Sequence, residues 1–122
     1  KYILFECKNR TVVSAISKDD NGQLLNSVEW FKKKYQTGEQ CYPVMIHNSH
    51  VFSNNASPGQ DFKIMTPGLL DKFKESVDKF ASSLFENGNL DNAKNVEKLL
   101  KDLHLYDKMI LDKYTKVYKE IE

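Results

Sequence analysis

The sequence predicts an α/β fold, and three observations lead to this prediction. Short apolar segments typical of strands alternate along the chain with longer segments whose apolar residues recur at helical spacing. A chain of 122 residues is long enough for one domain with one hydrophobic core. Hydrophobic residues make up 40% of the chain and charged residues 29%, a balance that argues against collagen-like and disordered classes.

Three segments have the composition of strands. Residues 2–7 form an almost continuous apolar run, which is typical of a central strand covered on both faces. Residues 43–47 and 62–65 are the second and third predicted strands, and residues 48–60 between them are predicted to be a surface loop. Three strands make an incomplete sheet, and a chain rarely begins one residue before a buried strand. We therefore expect a mixed sheet that is incomplete at the N-terminus, in a fragment of a longer protein.

Segments whose apolar residues recur at helical spacing follow the first predicted strand and the third. The first helix is predicted over residues 22–35, after an Asp19-Asp20-Asn21-Gly22 group that supplies N-cap chemistry. A long second helix follows Thr66-Pro67, a cap residue and then Pro at the first helical position, and it ends at Asn87-Gly88-Asn89. Two more helical patterns follow this break. They divide the chain into a core over residues 1–86 and a helical extension over residues 87–122, packed on the same domain.

Charge and composition narrow the class of function. The net charge of +1 is not the basic excess of proteins that hold nucleic acid by bulk charge, so any phosphate contact must be local. No apolar run approaches the roughly 18 residues that a membrane span needs, so we expect no membrane association. Two cysteines without metal-finger spacing, and the lack of a secretion signal, predict a reduced, cytoplasmic setting.

The most informative segment is Glu6-Cys7-Lys8, at the end of the first predicted strand. Because strand side chains alternate, Glu6 and Lys8 project from one face and Cys7 from the other. A carboxylate can hold a divalent cation through hard oxygen, and the cation polarises a phosphate and activates a bound water. An adjacent lysine positions that water or offsets the charge of the transition state. A solvated ion pair is the alternative interpretation of the same two residues.

The first helix carries a polar stripe that supports the catalytic interpretation. Its members occur at spacings of four, three and four, namely Gln23, Ser27, Trp30 and Lys34. An amide in the first turn of a helix is well placed to meet a phosphate or a metal-bound water. The lysines beside Trp30 are candidates for contact with a DNA backbone. The alternatives are that Gln23 is an ordinary surface residue and that the lysines are merely solvated.

The N-terminal part of the chain resembles the restriction-endonuclease-like superfamily of nucleases. The resemblance lies in the order of three features: an apolar strand, a Glu-x-Lys pair and a helix with an early Gln. That superfamily is defined by a proline-aspartate followed by a (Asp/Glu)-x-Lys signature, the PD-(D/E)xK pattern. Here its second half stands as Phe5-Glu6-Cys7-Lys8-Asn9, and Gln23-Leu24-Leu25 stands where many members carry a glutamine. Similarity to a bacterial group of these nucleases covers roughly residues 2–85.

The resemblance implies a restriction-endonuclease-like mixed sheet flanked by helices, and a Mg²⁺- or Mn²⁺-dependent endonuclease that acts on DNA. Glu6 would be a metal ligand, the backbone carbonyl of Cys7 another, Lys8 would serve the attacking water, and Gln23 would support the site. The superfamily's metal-binding Asp comes from the preceding strand, and this chain begins too late to contain it. The resemblance therefore implies weak or no activity for the chain alone, unless an upstream segment supplies that Asp.

Two further expectations concern partners. Lys18, Trp30 and Lys34 are the candidate DNA-contacting residues. A different class of function is a non-catalytic interaction module, in which the C-terminal amphipathic helices bind a partner protein or form a homodimer. The apolar stripe of the last predicted helix favours that alternative: Ile110, Tyr114, Val117, Tyr118 and Ile121.

His47 and His50 are weaker site candidates, because no third metal ligand stands at a fitting spacing.

Overall fold

The computed structural model of the chain describes residues 2–8, 15–36, 40–49, 51–53, 56, 62–86, 92–117 and 119–120. Strands and helices alternate in these residues, in the order β1 (Tyr2–Cys7), α1 (Lys18–Tyr35), β2 (Cys41–Ile46), β3 (Val51–Phe52), β4 (Lys63–Met65), α2 (Pro67–Glu86), α3 (Ala93–Asp102), α4 (Met109–Tyr114), β5 (Lys116–Val117) and β6 (Lys119–Glu120). The predicted α/β class is confirmed, since a small open mixed sheet is flanked by helices. Among the described helices, none has the length and apolarity that crossing a bilayer requires.

Within the described residues, the main sheet has four strands in the order β1-β2-β4-β5. The first three are parallel, with Cys7 opposite Ile46 and Ile46 opposite Met65, whereas β5 pairs antiparallel with β4. A separate two-stranded sheet joins β3 to β6. Because the parallel strands are in register, the residues that follow them emerge together at one side of the sheet, which we call the carboxyl edge.

Helices cover both faces of the sheet. On β1, Tyr2 packs against Phe31 of α1 with ring centroids 5.1 Å apart, while Phe5 packs towards Phe73 of α2 at 6.3 Å. The core on the α1 side consists of Ile16, Leu24, Met45, Phe52, Phe62 and Ile64. The core on the α2 side consists of Tyr42, Val44, Met65, Leu111 and Tyr114.

The prediction that β1 is a central strand is wrong for the described residues. β1 lies at the edge of the main sheet, and Tyr2 and Phe5 each keep 41% of their surface exposed. The apolar run reflects coverage of the two faces of β1 by α1 and α2. That coverage is independent of whether a strand pairs with one edge or with both.

α1 begins four residues before the predicted start. The side chain of Ser17 caps it by accepting a hydrogen bond from the Asp20 backbone N–H at 3.1 Å. The Asp19-Asp20-Asn21-Gly22 group, predicted to precede the helix, instead lies in its first two turns. Because serine is as strong an N-cap as aspartate, composition alone did not distinguish the two sites.

The C-terminal segment contains less helix than predicted. α4 ends at Tyr114, and Val117, predicted to lie on a helix, lies on β5 opposite Lys63 of β4. Backbone pairing with β4 outweighs the helical spacing of these residues. Similarly, the predicted loop over residues 48–60 contains β3, which pairs with β6. Tyr118 and Ile121, which were also predicted to lie on a helix, are outside the described residues.

α4 joins the C-terminal segment to the core. The Tyr114 hydroxyl donates a hydrogen bond to the Leu103 carbonyl at 2.7 Å and lies 2.7 Å from the hydroxyl oxygen of Ser76. Its ring packs against Phe73 with centroids 5.3 Å apart. Both Leu111 and Tyr114 are buried, so α4 contributes to the same core as β2 and β4.

The end of α3 holds a residue in an unfavourable backbone conformation. The Leu105 N–H bonds to the Leu100 carbonyl at 2.7 Å, and the His104 N–H bonds to the Lys101 carbonyl at 3.1 Å. This pair of bonds is the Schellman motif, which requires a left-handed residue that is usually glycine. Here His104 takes that position, with φ of 56°.

We expect His104→Gly to stabilise the protein by about 0.5–1 kcal/mol, because glycine adopts the left-handed conformation without a clash at Cβ. The measurement is the free energy of unfolding in urea. Lys98→Gly, at an exposed position inside α3, is the matched control and should destabilise by about 1 kcal/mol. Destabilisation by both variants would contradict the assignment of strain to His104.

Candidate functional site

Glu6 and Lys8 emerge together at the carboxyl edge, at the end of β1. The Lys8 Nζ lies 3.3 Å from Glu6 Oε1, and their side chains are 16% and 25% exposed, respectively. Both side chains point towards α1, because alternate residues of a strand share one face. The pair is thus partly shielded by protein but still reachable by a ligand.

α1 adds two polar side chains to this pair. The Lys8 ammonium donates a hydrogen bond to Gln23 Oε1. The Ser27 hydroxyl donates to Glu6 Oε2 at 3.4 Å. Gln23 and Ser27 are one helical turn apart and so share a face of α1. We call these four residues the Glu6–Lys8 cluster: Glu6, Lys8, Gln23 and Ser27.

The chemistry of the Glu6–Lys8 cluster combines opposite charges with an amide. Each oxygen of the Glu6 carboxylate has one partner in the cluster, and a carboxylate offers about four lone-pair positions, so it can accept a further ligand. With its oxygen bound to Lys8, the Gln23 amide has two N–H donors suited to a phosphate oxygen. The cluster therefore has groups for both a cation and an anion.

The fit of this cluster to a metal ion is partial. Glu6 can serve as one ligand of Mg²⁺, an ion that is commonly bound by one or two carboxylates together with water and substrate phosphates. Among the described residues, no group of three or more His, Cys, Asp and Glu side chains could hold a metal ion. The Cys7 side chain is exposed on β1, and the predicted role of its backbone carbonyl stays a prediction.

A buried contact between Asp20 and His47 lies at the same edge, and sequence reasoning missed it. Asp20 is in the first turn of α1 and His47 directly follows β2; both are buried. His47 Nε2 lies 3.6 Å from Asp20 Oδ2, and His47 Nδ1 accepts a hydrogen bond from the Ser49 N–H at 2.9 Å. Because Nδ1 accepts that hydrogen bond, it carries no proton, and the proton of a neutral His47 is assigned to Nε2, which faces the carboxylate.

The Asp20–His47 contact holds the beginning of α1 against the end of β2. Gln23 follows Asp20 by one turn, so this contact also sets the position from which Gln23 reaches Lys8. The signal available in the sequence was an acidic first turn and a histidine after a parallel strand. The parallel order of β1 and β2 brings the two together, because it places the end of β2 at the same edge as the end of β1, after which α1 begins.

The predicted DNA-contacting residues lie along α1. Lys18 is its first residue and lines an open depression of about 410 Å³ together with Asp19, Gly22, Gln23 and Asn26. Trp30 and Lys34 lie near the other end of the helix, where both are exposed. Of the predicted site residues, the structure thus brings together Glu6, Lys8 and Gln23, and it leaves Trp30 and Lys34 apart from them.

Comparisons of the chain with protein-family models, with curated proteins and with solved structures found no match. The geometry at the carboxyl edge and along α1 is therefore the basis on which a function can be assigned.

We expect Asp20→Ala to lower the free energy of unfolding by about 1–3 kcal/mol, because it removes a buried partner of His47. Asp19→Ala is the matched control, since Asp19 is exposed in the same helical turn and affects mainly the helix dipole. It should cost less than about 1 kcal/mol. Urea unfolding of both variants checks the difference, and equal losses would refute a structural role for the Asp20–His47 contact.

Proposed function

We propose that this chain is a metal-dependent nuclease-like domain that hydrolyses DNA phosphodiester bonds, with weak activity on its own. The observation that carries the proposal is the meeting of Glu6, Lys8 and Gln23 at the carboxyl edge. It is supported by the resemblance to the restriction-endonuclease-like superfamily, whose (Asp/Glu)-x-Lys signature falls on Glu6 and Lys8. The superfamily fold is part of the proposal.

In this proposal each residue of the Glu6–Lys8 cluster has a separate task. Glu6 would hold one side of a Mg²⁺ or Mn²⁺ ion, and the ion would supply Lewis-acid polarisation of the phosphate and a lowered pKa of a bound water. Lys8 orients the attacking water and offsets the negative charge that accumulates on the phosphoryl oxygens. Gln23 donates an amide N–H to a phosphate oxygen, and Ser27 keeps the Glu6 carboxylate in place.

Weak activity follows from the small number of ligands. A single carboxylate binds Mg²⁺ poorly unless the phosphates of the substrate complete the coordination shell. In addition, the Lys8 ammonium competes with the ion for Glu6 Oε1. Glu6 would therefore hold the ion only together with the phosphates of DNA, and Lys8 would then bind a phosphate oxygen in place of Glu6 Oε1.

The test is Mg²⁺- or Mn²⁺-dependent nicking of supercoiled plasmid by the full chain. We expect slow nicking that EDTA abolishes and that Glu6→Gln and Lys8→Met each reduce by about 100-fold or more, because they remove transition-state stabilisation. Glu86→Gln and Lys72→Met are the matched controls, since both residues are exposed on α2 and neither belongs to the cluster. The controls should nick at the rate of the parent chain.

Two results would reject this function. The first is equal nicking by the parent chain and by the Glu6 and Lys8 variants, which would indicate a contaminating nuclease. The second is the absence of detectable nicking by the parent chain in either metal. Circular dichroism of each variant shows whether a loss of rate reflects a loss of structure.

As a second candidate function, we propose a non-catalytic module that associates with a second copy of the chain through α2. The observation in its favour is the exposure of apolar side chains on the second half of this helix: Phe85 is 91% exposed, Leu84 41% and Val77 40%. Exposed apolar side chains on one half of a helix are a feature that protein–protein interfaces use. α4, in contrast, uses Leu111 and Tyr114 in the core and leaves them unavailable.

Sedimentation velocity tests the second candidate. We expect the full chain to dimerise at micromolar concentration and the Leu84→Gln/Phe85→Gln variant to be monomeric, because two apolar contacts are lost. Met109→Gln is the matched control, since Met109 is a partly exposed apolar residue on α4 and should leave the dimer intact. A parent chain that is monomeric throughout the concentration range would eliminate this function.

A further inference from the structure

The C-terminal end of α1 carries aromatic rings and lysines side by side on its surface. Trp30 and Tyr35 each keep 55% of their surface exposed, and their ring centroids are 6.3 Å apart in an edge-to-face arrangement. The Lys34 Nζ lies 5.0 Å from the centre of the Trp30 ring. Lys32 and Lys33 are also exposed in this last turn. We call these residues the aromatic–lysine surface: Trp30, Lys32, Lys33, Lys34 and Tyr35.

Packing of the fold does not require Trp30 at this position. The residues of α1 that are buried against the sheet include Leu24 and Val28, and Phe31 packs between Tyr2 and Tyr35 at centroid distances of 5.1 and 4.8 Å. Trp30 lies outside this set and keeps more than half of its surface in solvent. An indole has the largest ring face among the side chains, so an exposed one offers a stacking surface to a planar ligand.

The charges beside Trp30 indicate what that ligand is. Three lysines against the single carboxylate of Glu29 give the last two turns of α1 a positive charge, although the whole chain has a net charge of only +1. A protein partner with an apolar face would gain little from three desolvated ammonium groups. A nucleic acid strand matches both features, because its bases stack on aromatic rings and its phosphates bind lysine.

The exposed ring further favours a single strand over a duplex. In a duplex the faces of the bases are covered by their neighbours, whereas an unpaired base can stack on a side chain. Lys34 now lies over the indole, and its flexible stem allows the ammonium to move to a phosphate when a base takes its place.

We propose that the aromatic–lysine surface binds single-stranded DNA by stacking a base on Trp30 and by contacting phosphates with Lys33 and Lys34. From Lys34 back to Gln23 is eleven residues of helix, about 16 Å at 1.5 Å per residue. The strand then runs along α1 from Trp30 to the Glu6–Lys8 cluster. This last step rests on the proposed nuclease function, whereas the binding itself does not.

The experiment uses Trp30 as its own probe, since it is the only tryptophan of the chain. The full chain is titrated in EDTA with a twelve-residue oligothymidylate, and tryptophan fluorescence is followed together with the anisotropy of a labelled copy of the oligonucleotide. We expect quenching of Trp30 and a decrease in affinity of about tenfold in Trp30→Leu, as for the loss of one stacked base. Trp30→Phe keeps a ring and should recover part of that affinity.

The salt dependence of binding tests the lysines separately. Lys33→Met/Lys34→Met should lower the slope of log K against log salt by about 1.4, because each phosphate contact on a single strand contributes about 0.7. Lys74→Met, an exposed lysine of α2, is the matched control and should leave the slope unchanged. Urea unfolding of each variant separates a loss of binding from a loss of structure.

Three results would overturn the binding proposal: an unchanged affinity in Trp30→Leu, equal or tighter binding of a blunt duplex, or more than tenfold tighter binding of oligouridylate. Failure of the nuclease function gives a different pattern. In that case Trp30→Leu loses affinity for oligothymidylate, whereas Glu6→Gln leaves plasmid nicking unchanged. If Glu6→Gln abolishes nicking and Trp30→Leu binds normally, the nuclease function stands and the aromatic–lysine surface is refuted.

Discussion

The arrangement of the site depends on the parallel pairing of β1 with β2. Parallel strands need a crossover, and α1 provides it, so the helix runs back over the sheet and its N-terminus lies at the carboxyl edge. The Asp20–His47 contact holds that end of the helix in place. The same path brings Gln23 to Lys8 and Ser27 to Glu6. If β1 and β2 were antiparallel, His47 would follow β2 at the opposite end of the sheet from Asp20, and this contact could not form.

Much of the fold was predictable because local patterns agree with it. The predicted strands over residues 43–47 and 62–65 match β2 (Cys41–Ile46) and β4 (Lys63–Met65), and the long helix after Thr66-Pro67 matches α2. The two-residue strands β3, β5 and β6 were not predicted. A strand this short has no periodicity of its own, and its pairing depends on residues distant in the chain.

The site was predictable to a similar extent. Strand alternation placed Glu6 and Lys8 on one face, and the order of strand and helix placed Gln23 beside them. The Asp20–His47 contact could not be derived in this way, because it joins two elements whose relative direction is a property of the whole sheet. Spacing alone put Trp30 on the same stripe as Gln23, but it did not reveal that the ring is exposed beside three lysines.

The pairing of β5 with β4 and of β6 with β3 also affects how the chain is made. These strands are formed by residues 116–120, whereas their partners are residues 51–52 and 63–64. On a ribosome, residues 2–46 can form β1, α1 and β2, but both described sheets remain unfinished until residues 116–120 have been translated. During that interval the edge of β4 that later pairs with β5 is open to intermolecular pairing, so the emerging polypeptide is prone to aggregate.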